Sequence, residues 1–446
     1  MAGMDAAQQT PLPVGYRVLA NHDISHQLAQ RPDIAAALGG TPAQWHVRDV
    51  ADGNLNSVFL VEGPNGGVCV KQSLPWVRVA KDDWPLSVER AFFESAYMQR
   101  TEPFALGLAP RLLHFDASLR MIVMERLRPH TILRQALIAG VQHPLAARAV
   151  AEFAASTLFH TSDIANPFER KADDVALFCK NHALQRITVD LVFIDPYTHN
   201  TRNRYVSPHL NAWARALRED GALKSAVARH RNNYLSKPQA LLHGDLHSGS
   251  VMVTQDDTRV IDGEFAWVGP IGFDTGNFIG NLLLSWFAKA SHRTDAQKRD
   301  AYRDWIAQQV QDFWQHFHDR FLAHWQGWRG PSDGYPASHF DPDADTTELR
   351  ALKAEYLEDV WADTLAFAAI EMVRRCIGFA QVADFSSIQD PALRARVQAP
   401  ALALARDMLV NPHHYRTVQT LLRSLTRHDL LRPDSTLPHQ DELSHA

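Results

Sequence analysis

Apolar and polar positions alternate in two rhythms along this chain, and the change of rhythm divides it. From residue 44 to 73 the period is close to two, so 44–50, 57–61 and 68–71 read as strands. The turn-rich segment 51–56 separates the first two. Pro64-Asn65-Gly66-Gly67 predicts a tight hairpin before the third, because Asn-Gly tolerates the positive φ angles of such turns. Trp84-Pro85-Leu86-Ser87 reads as a helix start with Ser87 as N-cap, followed by helical spacing over 88–100. A further strand pair, 111–115 and 121–124, brackets Asp116. After Leu127 helical patterns dominate over 144–163, 171–187, 210–233, 295–325, 347–378 and 391–410, with a β-rich island at 241–268. The segment 326–345, rich in Gly, Pro, Asp and Ser, reads as an exposed loop. An α+β chain of two lobes is expected: a β-rich N-lobe, residues 1–127, and a larger, mainly helical C-lobe, residues 128–446.

Composition narrows the class without choosing a function. At 46% hydrophobic and 21% charged residues the chain reads as globular rather than disordered. A net charge of −5 and the lack of any Lys/Arg run argue against nucleic acid or an anionic membrane as partner. Cys69, Cys179 and Cys376 are odd in number and far apart, which suits a reducing cytoplasm and gives no zinc pattern. The first residues have neither a basic stretch nor an apolar core, so no signal peptide is expected. The most apolar run, 277–287, is about half the length of a membrane span. A soluble, cytoplasmic protein is expected.

Candidate chemistry concentrates at His243-Gly244-Asp245-Leu246-His247-Ser248-Gly249-Ser250 and at Asp262-Gly263-Glu264. A loop offering Asp245 is followed by a hairpin that ends in two carboxylates at i and i+2. On a strand these would share a face, and at a strand end they can converge on one cation. Two carboxylates plus phosphate oxygens suit Mg²⁺, and Asp245 could then orient a hydroxyl that attacks a phosphate. His243 reads as a brace of the loop backbone, and the Gly and Asp between it and His247 argue against a metal-binding pair. Asp274, acidic in an apolar segment, reads as a second brace. Arg374 and Arg375 lie among apolar neighbours, so their stretch is at least partly buried and buried arginines need oxygen partners. Spacing alone leaves open that one of them makes only a surface salt bridge.

HGDLHSGS with DGE resembles the aminoglycoside phosphotransferase and choline kinase superfamily, whose loop usually reads HGDxxxxN. More narrowly it resembles the methylthioribose kinase family, with HGDLHTGS and a DxE metal motif. Ser250 departs from the superfamily's Asn but agrees with the narrower family, and 265–274 fits it too. Asp52-Gly53-Asn54-Leu55-Asn56 resembles the phosphate-covering loop, and Lys71-Gln72-Ser73 the strand with the phosphate-binding Lys. Met124-Glu125-Arg126-Leu127 stands where a hinge presents backbone groups to adenine. Asp82-Asp83-Trp84 resembles a Trp-containing loop near the sugar, and 371–378 a twin-arginine segment, although Gln381 stands where His is expected. The match runs in order over roughly 45–385.

The resemblance implies a bilobal protein-kinase-like fold with ATP between the lobes. Gly53 and Asn54 would cover the phosphates, Glu125 and Leu127 would hold adenine, and Lys71 would hold the α/β-phosphates, itself held by Glu94 or else Glu89. Asp262 and Glu264 would bind Mg²⁺. Asp245 would act on the anomeric hydroxyl of 5-methylthioribose, positioned by Arg374 and Arg375, with Trp84 either a lid or core packing. A homodimer and a role in methionine salvage are implied likewise. The alternatives are a same-fold kinase for an aminoglycoside, choline, homoserine or another sugar, and a nucleotide-binding scaffold without turnover.

Overall fold

The period-two segments pair. In the computed structural model, which describes residues 11–50, 55–78, 81–292, 295–341, 343–344 and 346–428, β1 (His46–Val50), β2 (Asn56–Glu62) and β3 (Gly67–Ser73) form an antiparallel meander. β4 (Trp76–Val77) and β5 (Lys81–Pro85) make a small hairpin outside it. β6 (Leu112–Asp116) and β7 (Met121–Glu125) complete a five-stranded sheet of order β1-β2-β3-β7-β6, in which Lys71 lies opposite Val58 and Ile122. Alternation sorts its faces. Val68 and Val70 of β3, with Phe59 and Val61 of β2, pack on Ile24, Leu28, Ile34 and Leu38. Those four belong to two helices before the sheet, α1 (Asn21–Ala29) and α2 (Pro32–Leu38). Each such side chain contributes about 1.5–3 kcal/mol on burial. A slip of one residue would exchange the faces and put Lys71 under the helices.

Two local expectations are corrected here. The 63–66 hairpin forms, with Gly63 N donating to Gly66 O at 2.8 Å, but neither Asn65 nor Gly66 has positive φ. Pro64 leads the turn and fixes a negative φ, and Asn65 N donates to Leu38 O at 2.9 Å, docking the turn on α2. The helix expected from residue 88 is α3 (Arg90–Thr101); Ser87 Oγ accepts from Glu89 N at 3.2 Å just ahead of it. Helices α1 and α2 lie before the first segment that periodicity picked out.

The second lobe opens with β8 (Thr131–Ile132), α4 (Leu133–Ala139) and α5 (Ala146–His160). The helical patterns expected at 171–187 and 210–233 are each two helices: α6 (Phe168–Phe178) with α7 (His182–Phe193), and α8 (Asn211–Glu219) with α9 (Gly221–Ser236). At the second break Asp220 accepts from Leu223 N at 2.9 Å, capping α9. The β-island is β9 (Ala240–Leu242), β10 (Val251–Val253), β11 (Thr258–Val260) and β12 (Trp267–Gly269), with β8 joined to β10. Helices α10 (Gly272–His292), α11 (Ala296–Gly327), α12 (Thr347–Ile377), α13 (Ala383–Ser386), α14 (Pro391–Val410) and α15 (Val418–Leu425) follow. The apolar run 277–287 is the interior of α10, buried on all sides. Among the described residues no helix is long and apolar enough to cross a membrane.

Candidate active site

The loop after β9 is held in shape from behind. Gly244 has φ +81°, and a Cβ on it would stand 2.1 Å from the Phe265 carbonyl oxygen, so only glycine fits. Asp274, in the first turn of α10, accepts from His243 N at 2.6 Å and from Gly244 N at 2.9 Å. Burial lifts its carboxyl to about 6. His243 Nδ1 accepts from Asp245 N at 3.3 Å, and its Nε2 reaches the Ile261 carbonyl oxygen at 2.9 Å. Both residues thus brace the loop, as their sequence context suggested, and His243 also ties it to the segment carrying Asp262.

Asp245 stands at the end of this frame, its side chain about a quarter exposed. Oδ1 lies 3.8 Å from Arg375 Nη2 and 4.0 Å from Arg374 Nη1, while Oδ2 lies 3.3 Å from His247 Nε2. Burial alone would raise its pKa; His247, Arg374 and Arg375 outweigh that and hold the carboxyl well below the usual carboxylate range. Both arginines are buried, so the surface salt-bridge reading of one of them is wrong. Adjacent helical residues diverge by about 100°, yet these two converge because Glu371 lies three and four residues back, between their directions. Arg374 Nη1 donates to Glu371 Oε2 at 3.0 Å and Arg375 Nε to Oε1 at 2.5 Å. Asn281 Nδ2, from α10, donates to the same carboxylate at 2.9 Å.

On the opposite wall Lys71 Nζ lies 2.8 Å from Glu94 Oε2, touches Asp262 and is 3.9 Å from Glu264 Oε2. Glu89, the other candidate partner, instead pairs with Arg120 at 2.6 Å. Burial works against the Lys71 ammonium, but Asp262, Glu264 and Glu94 outweigh it and push its pKa up, keeping it charged. The two carboxylates do not sit on a strand but just beyond the end of β11, so they do not share a strand face. Asp262 has φ +76° and is followed by a 3₁₀ turn, Gly263–Phe265. That turn leaves the Asp262 side chain 48% exposed and Glu264 only 4%. Glu264 accepts from Asn56 Nδ2 at 2.8 Å, with Arg90 Nε 3.5 Å away. The pair still converges, at Lys71. Two hard oxygen donors beside a lysine are a donor set that fits Mg²⁺, which takes one or two carboxylates and draws other ligands from phosphate and water.

Lys71, Asp262, Asp245, Arg374, Arg375, Glu125, Leu127 and Trp84 all border one cleft of about 800 Å³ between the lobes. Leu60, Cys69, Met124 and Met252 make one of its ends apolar. Trp84 packs, with its ring 5.3 Å from that of Phe379 and near Ile187 and Leu191, and it also lines the cleft. Gly53 and Asn54 lie outside the described residues. Ser250 Oγ donates to the Asp245 carbonyl at 2.7 Å, closing the loop on itself. Sequence reading missed Arg134, which donates to Asn281 Oδ1 at 2.6 Å and to Ser248 Oγ at 3.2 Å. It also missed Glu371 as the anchor of the arginines, although a Glu three and four residues before Arg374-Arg375 was a readable signal.

The model of the phosphotransferase enzyme family (APH) matches residues 46–313. Methylthioribose kinase 2 of Oryza sativa subsp. japonica is 38% identical over 424 residues, 95% of this chain and 98% of that protein. A methylthioribose kinase of Escherichia coli O45:K1 (strain S88 / ExPEC) is 38% identical over 414 residues, 93% of this chain and 98% of its own. One from Yersinia pseudotuberculosis serotype O:1b (strain IP 31758) is 41% identical over 370 residues, covering 82% and 86%.

Proposed function

The chain belongs to the phosphotransferase enzyme family and, within it, to the methylthioribose kinases, and from that premise we propose how its residues transfer a phosphoryl group from ATP to the anomeric hydroxyl of 5-methylthioribose. The observation that carries this reading is the shared cleft in which Asp245, flanked by two buried arginines, faces Lys71 and Asp262. Adenine lies at the apolar end against the backbone of Glu125 and Leu127. Lys71, steadied by Glu94, holds the α/β-phosphates, and Gly53 and Asn54 cover them. Asp262 and Glu264 are the residues that would hold Mg²⁺, whose charge offsets that of the phosphate oxygens. Asp245 orients the sugar hydroxyl and takes its proton. Arg374 and Arg375 present guanidinium forks to the sugar oxygens and to the charge that develops on the transferred group. Trp84 closes the sugar end.

The reaction yields 5-methylthioribose 1-phosphate, a step of methionine salvage. Two buried guanidiniums suit a neutral sugar and disfavour a polycationic aminoglycoside or choline. The lobes divide at 127/128, a reading supported by the pairing of β8 with β10. A cytoplasmic homodimer is part of the same reading; a solution mass of twice the chain, by light scattering, tests the dimer. The activity test is ADP release from Mg·ATP with methylthioribose, ribose, homoserine, choline or kanamycin, alongside Asp245→Asn. Turnover is expected with methylthioribose alone, and the variant should lose at least about 10³-fold in kcat while still binding ATP. Preference for another acceptor would remove the sugar assignment, and an active variant would remove Asp245 from the chemistry.

A further inference from the structure

His247 has no task in the division of labour above, yet it stands nearer to Asp245 than either arginine does. Its place is built by its own loop. Gly249 N donates to His247 Nδ1 at 2.9 Å, and Ser250 Oγ lies 3.1 Å from the same nitrogen. A backbone N–H can only donate, so Nδ1 is an acceptor and the proton of the neutral ring sits on Nε2. That nitrogen faces Asp245 Oδ2 at 3.3 Å. Burial disfavours a second proton on the ring. Asp245 pulls the other way, but Arg134 and Arg375 add to the burial effect, so the ring's pKa is lowered from the ordinary imidazole value, in keeping with an Nδ1 that accepts from Gly249 N. Gly249 belongs to the same device: a Cβ there would lie 2.7 Å from His247 Cε1 and 3.1 Å from Arg134 Nη1. The two carboxylate oxygens of Asp245 are therefore unequal, one against a neutral donor and the other towards the arginines.

We propose that His247 is a positioning residue, which holds Oδ2 of Asp245 through its Nε2–H and so presents Oδ1 to the sugar hydroxyl. The proposal rests on the reading of Asp245 as the group that meets the acceptor. In the step, the hydroxyl oxygen forms the new bond to the γ-phosphorus and its proton passes to Oδ1. The bond from that phosphorus to the bridging oxygen breaks, and ADP leaves with the electron pair. A neutral donor on Oδ2 fixes the direction of the carboxylate without neutralising it. Charge around the pair is supplied elsewhere, by Arg374, Arg375 and Glu371 of α12 and Arg134 of α4, with Asp274 of α10 behind the loop.

Glutamine can place an amide N–H near the position of Nε2; asparagine is too short to do so. The experiment compares His247→Gln, His247→Asn and Asp245→Asn by steady-state ADP release with methylthioribose and Mg·ATP, and by direct ATP binding. The expected result for His247→Asn is a loss of about 10²-fold in kcat, the scale of a misdirected reacting group. Its KM for ATP should be unchanged, and His247→Gln should recover to within about tenfold of wild type. Wild-type kcat in His247→Asn, or equal losses in the Gln and Asn variants, would overturn the proposal and leave Asp245 in place. Full turnover in Asp245→Asn would instead overturn the reading on which the proposal stands. Unaltered ATP binding reports that each variant is folded.

Discussion

Asp274 illustrates how one buried carboxylate couples the loop to pH. Lifted to about 6, against 3.8 for an ordinary aspartate, it takes up a proton in the folded chain at a pH where the unfolded chain's carboxyl is still ionised. The folded state therefore gains stability from this group as pH falls from 6 towards 4, and loses it as pH rises through 6. The full effect is about 3 kcal/mol. Asp274→Asn removes the titration. In urea unfolding the wild type's advantage over the variant should be larger at pH 4.5 than at pH 7.5, by about 2 kcal/mol; a pH-independent difference would contradict the assignment. The loop residues were legible because His243, Gly244 and Asp245 sit inside one short motif, and Asp274, about 30 residues on, stood out as an acid in an apolar segment. Arg134 was not. Its partners Ser248 and Asn281 are 114 and 147 residues away, and no local pattern encodes that meeting.

At the scale of elements, the pairing of α10 with α12 decides where the arginines stand. Gly272, Gly276 and Gly280 recur every fourth residue along one face of α10. A Cβ on Gly276 would lie 2.6 Å from the Thr364 carbonyl oxygen, and one on Gly280 2.8 Å from that of Ala368. The two backbones thus approach closely, and Asn281 of α10 reaches Glu371 of α12. Gly276→Ala forces the helices apart. Overpacking of this type costs about 1–3 kcal/mol, to be read from the denaturant midpoint, and the shift of α12 should lower kcat through Arg374 and Arg375. An unchanged midpoint would show that the contact yields without strain. The spacing of these glycines was readable in the sequence, but α10 itself was not recognised. A helix buried on every side lacks the polar face that gives an amphipathic period. The strands of the sheet are short apolar runs set off by turns and were placed within a residue or two, whereas the breaks at 179–181 and 220 interrupt patterns whose apolar spacing runs on.

For the whole molecule, the question is what holds two lobes across a cleft that must admit ATP and a sugar. Contacts that cross near Lys71 include Lys71 to Asp262 and to Glu264, Asn56 to Glu264, and Arg90 to Glu264. Arg90 is almost fully buried, and its guanidinium also donates to the carbonyls of Leu55, Leu74 and Ser87. Glu264 is the carboxylate closest to balancing it. Removing one partner of a buried ion pair leaves an uncompensated charge and costs about 3–5 kcal/mol. Asp262 is half exposed and its loss leaves Lys71 paired with Glu94, so its removal should cost less than about 1 kcal/mol. The DGE motif therefore divides into a half-exposed carboxylate that faces the cleft and a buried one that is held between the lobes. Glu264→Ala should lower the thermal midpoint by many degrees and depress turnover with it. Asp262→Ala should keep the midpoint and lose Mg²⁺-dependent turnover by at least about 10²-fold. Calorimetry and ADP release on the same two preparations test both halves. If Asp262→Ala proves the less stable variant, the lobes are held through Lys71 instead, and the metal role of Asp262 can no longer be separated from its structural one.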